Sequence, residues 1–107
     1  MATVKIDNSA FQKEILDHKG VAVVDFYADW CGPCKVTEPI LEELSEKMKD
    51  VKFVKINVDE NQELSTKYSI FSIPTFLIMK DGTIKNQIVG AHSKEDFEKE
   101  INQVVSS

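Results

Sequence analysis

The sequence predicts an α/β protein, a central mixed β-sheet flanked by helices on both faces. Three observations carry this. Val21-Ala22-Val23-Val24-Asp25-Phe26-Tyr27-Ala28 is nearly continuous apolar and β-branched, the pattern of a central strand covered on both sides. Strand-like and helix-like segments then alternate, which implies helical crossovers and parallel pairing. Asp81-Gly82, between two strand-like runs, signals a two-residue hairpin that adds antiparallel strands.

Taken in order, Thr3 to Ile6 forms a short first strand. Ser9-Ala10-Phe11-Gln12 has capping-box form and starts a helix with Phe11, Ile15 and Leu16 on one face. Gly20 ends that unit, and Val21–Ala28 follows as the central strand. Beyond it, Val36, Ile40, Leu44 and Met48 recur every four residues and mark a helix reaching about Lys49. Pro39 has no N–H to give the carbonyl of Lys35 and kinks that helix. Lys52 to Val58 is a strand with Val54, Ile56 and Val58 on one side. Asn61 caps a short helix through Tyr68. Pro74 opens the strand Thr75–Met79, and Asp81-Gly82 turns it into Thr83–Val89. Ser93-x-x-Asp96 starts the last helix, with Phe97, Ile101, Val104 and Val105 facing the core.

At the exit of the central strand lies Trp30-Cys31-Gly32-Pro33-Cys34-Lys35, holding the only two cysteines and the only tryptophan. One helical turn brings side chains at i and i+3 to roughly 5–6 Å, close enough for a disulfide after a small adjustment. Pro33, with φ fixed and no N–H, belongs in the first turn of a helix. Cys31 therefore sits at the helix N-terminus, where free N–H groups and the helix dipole favour its thiolate. Thiolate is the nucleophile in disulfide exchange, so Cys31 attacks and Cys34 resolves. Gly32 has no side chain to block an incoming disulfide. Pro33 brings no cation to stabilise the reduced form, which argues for a reductant. Asp25 has two readings: a strand-end acid that reaches water or a salt bridge, or a buried acid with a raised pKa that serves as a base. Lys55, mid-strand, most simply snorkels from an exposed face. Trp30, next to the nucleophile, reads as part of a binding rim.

The run Phe26-Tyr27-Ala28-Asp29-Trp30-Cys31-Gly32-Pro33-Cys34-Lys35 resembles the active-site segment of the thioredoxin family, and the predicted element order matches the thioredoxin fold over essentially the whole chain. The resemblance implies that Asp25 helps deprotonate Cys34, with Lys55 in support. It implies a cis peptide at Ile73-Pro74, packed against the cysteines and offering backbone to a bound substrate strand. Val89, Gly90 and Ala91 form the remaining edge of that docking surface. It further implies protein-disulfide reductase activity on client proteins and re-reduction by a thioredoxin reductase-type enzyme, commonly the NADPH-dependent flavoenzyme. No bound cofactor is expected, because the dithiol itself carries the electrons. Tyr27, Glu38 and Phe71-Ser72 depart from the usual pattern: many relatives have tryptophan at the first position, and a basic residue and glycine at the last two. These departures bear on partner preference rather than chemistry.

Composition sets the outer limits. A chain of 107 residues has room for one modest core, so residues 1–107 are expected to form a single domain. A net charge of −5 disfavours nucleic acid and anionic membrane surfaces. The start Met1-Ala2-Thr3-Val4-Lys5 has no basic stretch followed by an apolar run, so no signal peptide is expected and the protein is placed in the cytoplasm. In that compartment a lone Cys-x-x-Cys is catalytic or metal-binding rather than a structural staple. A zinc site needs about four ligands, and only His18 and His92 are further strong candidates. A monomer is expected. Two alternatives share the fold: a non-enzymatic interaction subunit, and a glutathione-linked oxidoreductase or isomerase, whose bulkier or cationic central pair Gly32-Pro33 lacks.

Overall fold

Every residue of β2 (Val21–Tyr27) is buried, because this strand lies at the centre of a five-stranded sheet. The computed structural model describes residues 3–107. β1 (Thr3–Lys5) and β2 run parallel to β3 (Lys52–Asn57), which lies between them. β4 (Thr75–Lys80) is antiparallel to β2, and β5 (Thr83–Val89) is antiparallel to β4, giving the order β1-β3-β2-β4-β5. Two crossovers contain α1 (Gly32–Lys47) and α2 (Gln62–Lys67), and α3 (Lys94–Val105) closes the chain.

Alternation along β2 sorts the core into two layers. Val21 and Val23 pack with Leu41 and Leu44 of α1, Phe97, Ile101 and Val104 of α3, and Phe53, Phe76 and Ile78 of the sheet. Ala22, Val24 and Phe26 face the opposite way, onto Phe11, Ile15 and Leu64. Helices thus cover both faces, as expected. Asp25 continues the Val21–Val23 side and so lies under α1.

Local chemistry explains the element ends. Asp81 and Gly82 have φ values of 52° and 81°, the left-handed pair that a tight hairpin matching the strand twist requires. Asp81 Oδ1 also accepts from the Gly20 N–H at 2.7 Å, tying the hairpin to the entrance of β2. Ser93 caps α3, its Oγ accepting from the Asp96 N–H at 3.1 Å.

Four expectations are corrected. The N-terminal helix is a 3₁₀ turn, Asn8–Ala10, followed by a wide π-type turn, Gln12–Leu16. Its cap is Asp7 rather than Ser9: the Asp7 carboxylate accepts from both Ala10 N–H and Ser9 hydroxyl, and a charged acceptor outcompetes a hydroxyl. On α1 the buried column is Cys34, Thr37, Leu41, Leu44 and Ser45, while Val36 is exposed. Spacings of four residues drift around a helix of 3.6 per turn, and the core follows the mixed three-and-four pattern instead. Val105 falls off the α3 face for the same reason, leaving Val104 as the buried residue. Asn61 begins α2 without a side-chain cap, because its buried amide is used elsewhere: Oδ1 accepts from Asn8 N–H at 2.8 Å and Nδ2 donates to Asn57 O at 3.0 Å.

At Gly82 an added Cβ would collide with the Leu16 carbonyl, and the positive φ disfavours any L side chain. Gly82→Ala is expected to lower unfolding stability by more than about 1 kcal/mol in urea titration. A midpoint equal to that of the wild type would contradict the hairpin assignment.

Candidate active site

The site forms where β2 ends and α1 begins. Cys31 is the N-cap of α1, with extended backbone (φ −84°, ψ 111°), and its Sγ accepts from the Cys34 N–H at 3.2 Å. Gly32 and Pro33 occupy the first two helical positions, where a proline costs no hydrogen bond. Cys31 and Cys34 form a disulfide across a Cα–Cα distance of 5.3 Å. Both cysteines are buried, packed with Tyr27 and Ala28 and flanked by Val58 and Ile73. Gly32 and Pro33 are exposed beside them, and the space around the Gly32 Cα is open.

Asp25 lies one residue pair deeper in β2. It is only 6% exposed, opposite Lys55 in β3 and Phe76 in β4. Burial pushes its pKa up to about 7; the Lys55 ammonium pulls the other way, and the Glu38 carboxylate on α1 adds to the rise. Its Oδ1 is buried without a hydrogen-bond partner. Of the two sequence readings, the buried acid matches this environment. Lys55 is half-buried, with Nζ 5.6 Å from the centroid of the Tyr27 ring, on the same side of the sheet as Asp25.

Around the disulfide, the chain brings together the other residues singled out in the sequence. Trp30 is 70% exposed, and its Nε1 donates to Asp59 Oδ2 at 2.8 Å, so the ring is held by the loop after β3. The Ile73-Pro74 peptide is cis. Gly90 N–H donates to Pro74 O at 2.8 Å, joining the end of β5 to that loop, and Gly90 takes φ 90°, which suits glycine alone. Val89 and Ala91 are exposed on either side. Tyr27, one of the departures from the family pattern, is buried against the cysteines.

Two residues went unnoticed in the sequence, Asp59 and Thr37, and His92, weighed there only as a metal ligand, takes a different place. Asp59 fixes Trp30. Thr37 is fully buried beneath the motif, its hydroxyl within reach of Pro33 O at 3.3 Å and Cys34 O at 3.1 Å. His92 donates from Nε2 to Val89 O at 3.0 Å while its ring meets Phe97 edge-on. Thr37 left a signal, a polar residue on the helix face that also carries Cys34, Leu41 and Leu44. Asp59 depends on a contact across distant segments, whereas His92 reaches a carbonyl three residues back. Among the described residues, no group of three or more His, Cys, Asp or Glu side chains converges as a metal site would require.

A cysteine pair bonded across the first turn of a helix, on the carboxyl edge of an α/β sheet, defines a thiol–disulfide oxidoreductase. The comparisons narrow this class. The family model described as Thioredoxin matches residues 2–103. The chain is 47% identical to the thioredoxin of Bacillus subtilis over 104 residues, covering 96% of this chain and 98% of that one. It is 39% identical to the thioredoxin of Mycobacterium tuberculosis over 105 residues, 97% and 90% of the two chains. With that of Listeria monocytogenes the identity is 40% over 102 residues, 94% and 97%. The chain belongs to the thioredoxin family and is a thiol–disulfide reductase, with Cys31–Cys34 as its redox centre.

The environment of Asp25 sets a pH dependence. An unfolded aspartate releases its proton near 3.8, whereas folded Asp25 keeps it to about 7. Between these values the folded state binds more protons, so stability falls as pH rises and levels off above about 7. Asp25→Asn removes this titration. At about pH 8 the oxidised variant is expected to be more stable than the wild type by on the order of 4 kcal/mol in urea unfolding, with the gap closing towards about pH 4. A gap that does not change with pH would contradict the buried-acid assignment.

Proposed function

We propose that the protein reduces disulfides in client proteins by a two-step exchange. The observation that carries this is the N-cap position of Cys31, whose sulfur faces the first N–H groups of α1. In the reduced protein the Cys31 thiolate attacks one sulfur of a client disulfide. The client S–S bond breaks, a Cys31–client disulfide forms, and the other client sulfur leaves as a thiolate. Asp25 takes the Cys34 proton, and its pKa near neutrality suits it to accept and release that proton at the working pH. The Cys34 thiolate then attacks the Cys31 sulfur, the mixed disulfide breaks, and the client leaves with two added electrons. Lys55, opposite Asp25, holds down the carboxyl pKa and so supports the transfer.

Client backbone docks along Trp30, Gly32, Pro33, Ile73, Pro74, Val89, Gly90 and Ala91, with Trp30 as the fixed aromatic of the rim. A separate reductase, drawing on NADPH through a flavin, returns electrons to Cys31–Cys34. The chain works as a single domain, residues 1–107, and as a monomer, with neither nucleic acid nor membrane as a partner. We place it in the cytoplasm, where a dithiol that must persist reduced finds a reducing environment. No helix among the described residues is long and apolar enough to cross a membrane.

The two cysteines are separable by experiment. Cys31→Ser is expected to abolish turnover of a disulfide-bonded protein substrate. Cys34→Ser should trap the client as a mixed disulfide, visible as an added mass that thiol reagents remove. Undiminished turnover in either variant would overturn the role of that cysteine.

A further inference from the structure

The loop from α2 to β4 displays a side chain that the exchange chemistry leaves unused. Phe71 is 91% exposed, an unusual position for a ring of this size. Its neighbours are anchored. Ile70 packs into the core layer beneath α2, and its N–H donates to Ser65 O at 2.8 Å. Ile73 packs against Cys31 and Cys34, and the Thr75 hydroxyl holds the Ser72 carbonyl. On either side of Phe71, Ile70 and Ile73 take the inward places. The Phe71 ring therefore stands in water at a fixed place on the chain, two residues from Ile73.

Phe71 is not alone. Trp30, Val36 and Val89 are also exposed, on segments that lead into or border the cysteine cluster. Val36 follows Cys34 on α1, and Val89 precedes the Gly90 that is bonded to Pro74. Ile73 packs against Cys31 and Cys34, so a client whose disulfide reaches Cys31 comes up to the loop that carries Phe71. The ring gains free energy only if apolar surface replaces water; a charged or hydroxylated partner would lose hydration without compensation. A second copy of this chain seated here would instead block the disulfide.

We propose that Phe71 is a specificity-determining residue of the exchange reaction, an apolar anchor that selects client segments with a bulky aliphatic or aromatic side chain near the reducible cysteine. Phe71 stands two residues from Ile73, which packs against the cysteines, so the selected side chain is placed two or three residues from the client cysteine. The proposal rests on the reductase reading above.

The test uses short peptides with a cysteine capped as a disulfide to a chromogenic thiol, with Leu, Ser or Asp placed two or three residues away. Reduction by the pre-reduced full chain is followed as release of the chromogenic thiol. The wild type is expected to favour the Leu peptide over the Ser peptide by about tenfold in kcat/KM, the order of effect that burying such a ring allows. Phe71→Ser should bring that ratio within about twofold, and Phe71→Leu should keep most of it. The unfolding midpoint of Phe71→Ser should match that of the wild type, as an exposed ring requires. A wild-type ratio near one, or an undiminished ratio in Phe71→Ser, would overturn the anchor while leaving the reductase standing. Failure to reduce any of the peptides would overturn both.

Discussion

A sulfur atom occupies the position where helices usually place the oxygen of a serine, threonine or aspartate. Cys31 caps α1, and its Sγ accepts from the Cys34 N–H as a capping side chain does. The helix dipole and the unpaired N–H groups of its first turn stabilise negative charge there. The cap of α1 and the redox centre are therefore the same atom. Gly32 and Pro33 make this possible, because a proline in the first helical turn costs no hydrogen bond and a glycine leaves the sulfur approachable. The direction of β2 then aims this N-terminus at the edge of the sheet, where the Ile73-Pro74 loop and the end of β5 meet it.

Beneath the pair, the fold sustains an energetic conflict. Asp25 lies in the most buried strand, where an apolar side chain would pack at no electrostatic cost. The surrounding charges divide the work: Lys55 favours the ionised form, and burial with Glu38 favours the neutral one. The balance brings a carboxyl into the range where it can exchange protons near neutral pH. That same balance stores instability, in the way functional sites often trade stability for reactivity.

Much of the fold was legible because local and tertiary preferences agree. The apolar run of β2, the Asp81-Gly82 turn and the Ser93 cap each satisfy their own local chemistry, and packing keeps them as they are. Where the reading failed, a competing hydrogen-bond partner or the helix period itself had intervened. Asn61 looks like a cap but is claimed by Asn8 and Asn57 across the chain. Ser9 looks like a cap but defers to Asp7, a stronger acceptor just upstream. Val36 fits a four-residue repeat, yet the helix turns it towards water. The site divides in the same way. The cysteine motif is contiguous, so its geometry follows from the chain itself. The grip of Asp59 on Trp30 joins separate segments, and no spacing in the sequence encodes it.

The measurement that bears most directly on this account is the equilibrium redox potential of Cys31–Cys34 in thiol/disulfide buffers. Trp30 fluorescence can follow the conversion, with alkylation and intact mass as an independent readout. The account requires a pair that donates electrons to protein disulfides, so it predicts a potential well below that of the glutathione pool. A potential near or above that pool would contradict it, and would make the protein an oxidant or isomerase built on the same fold.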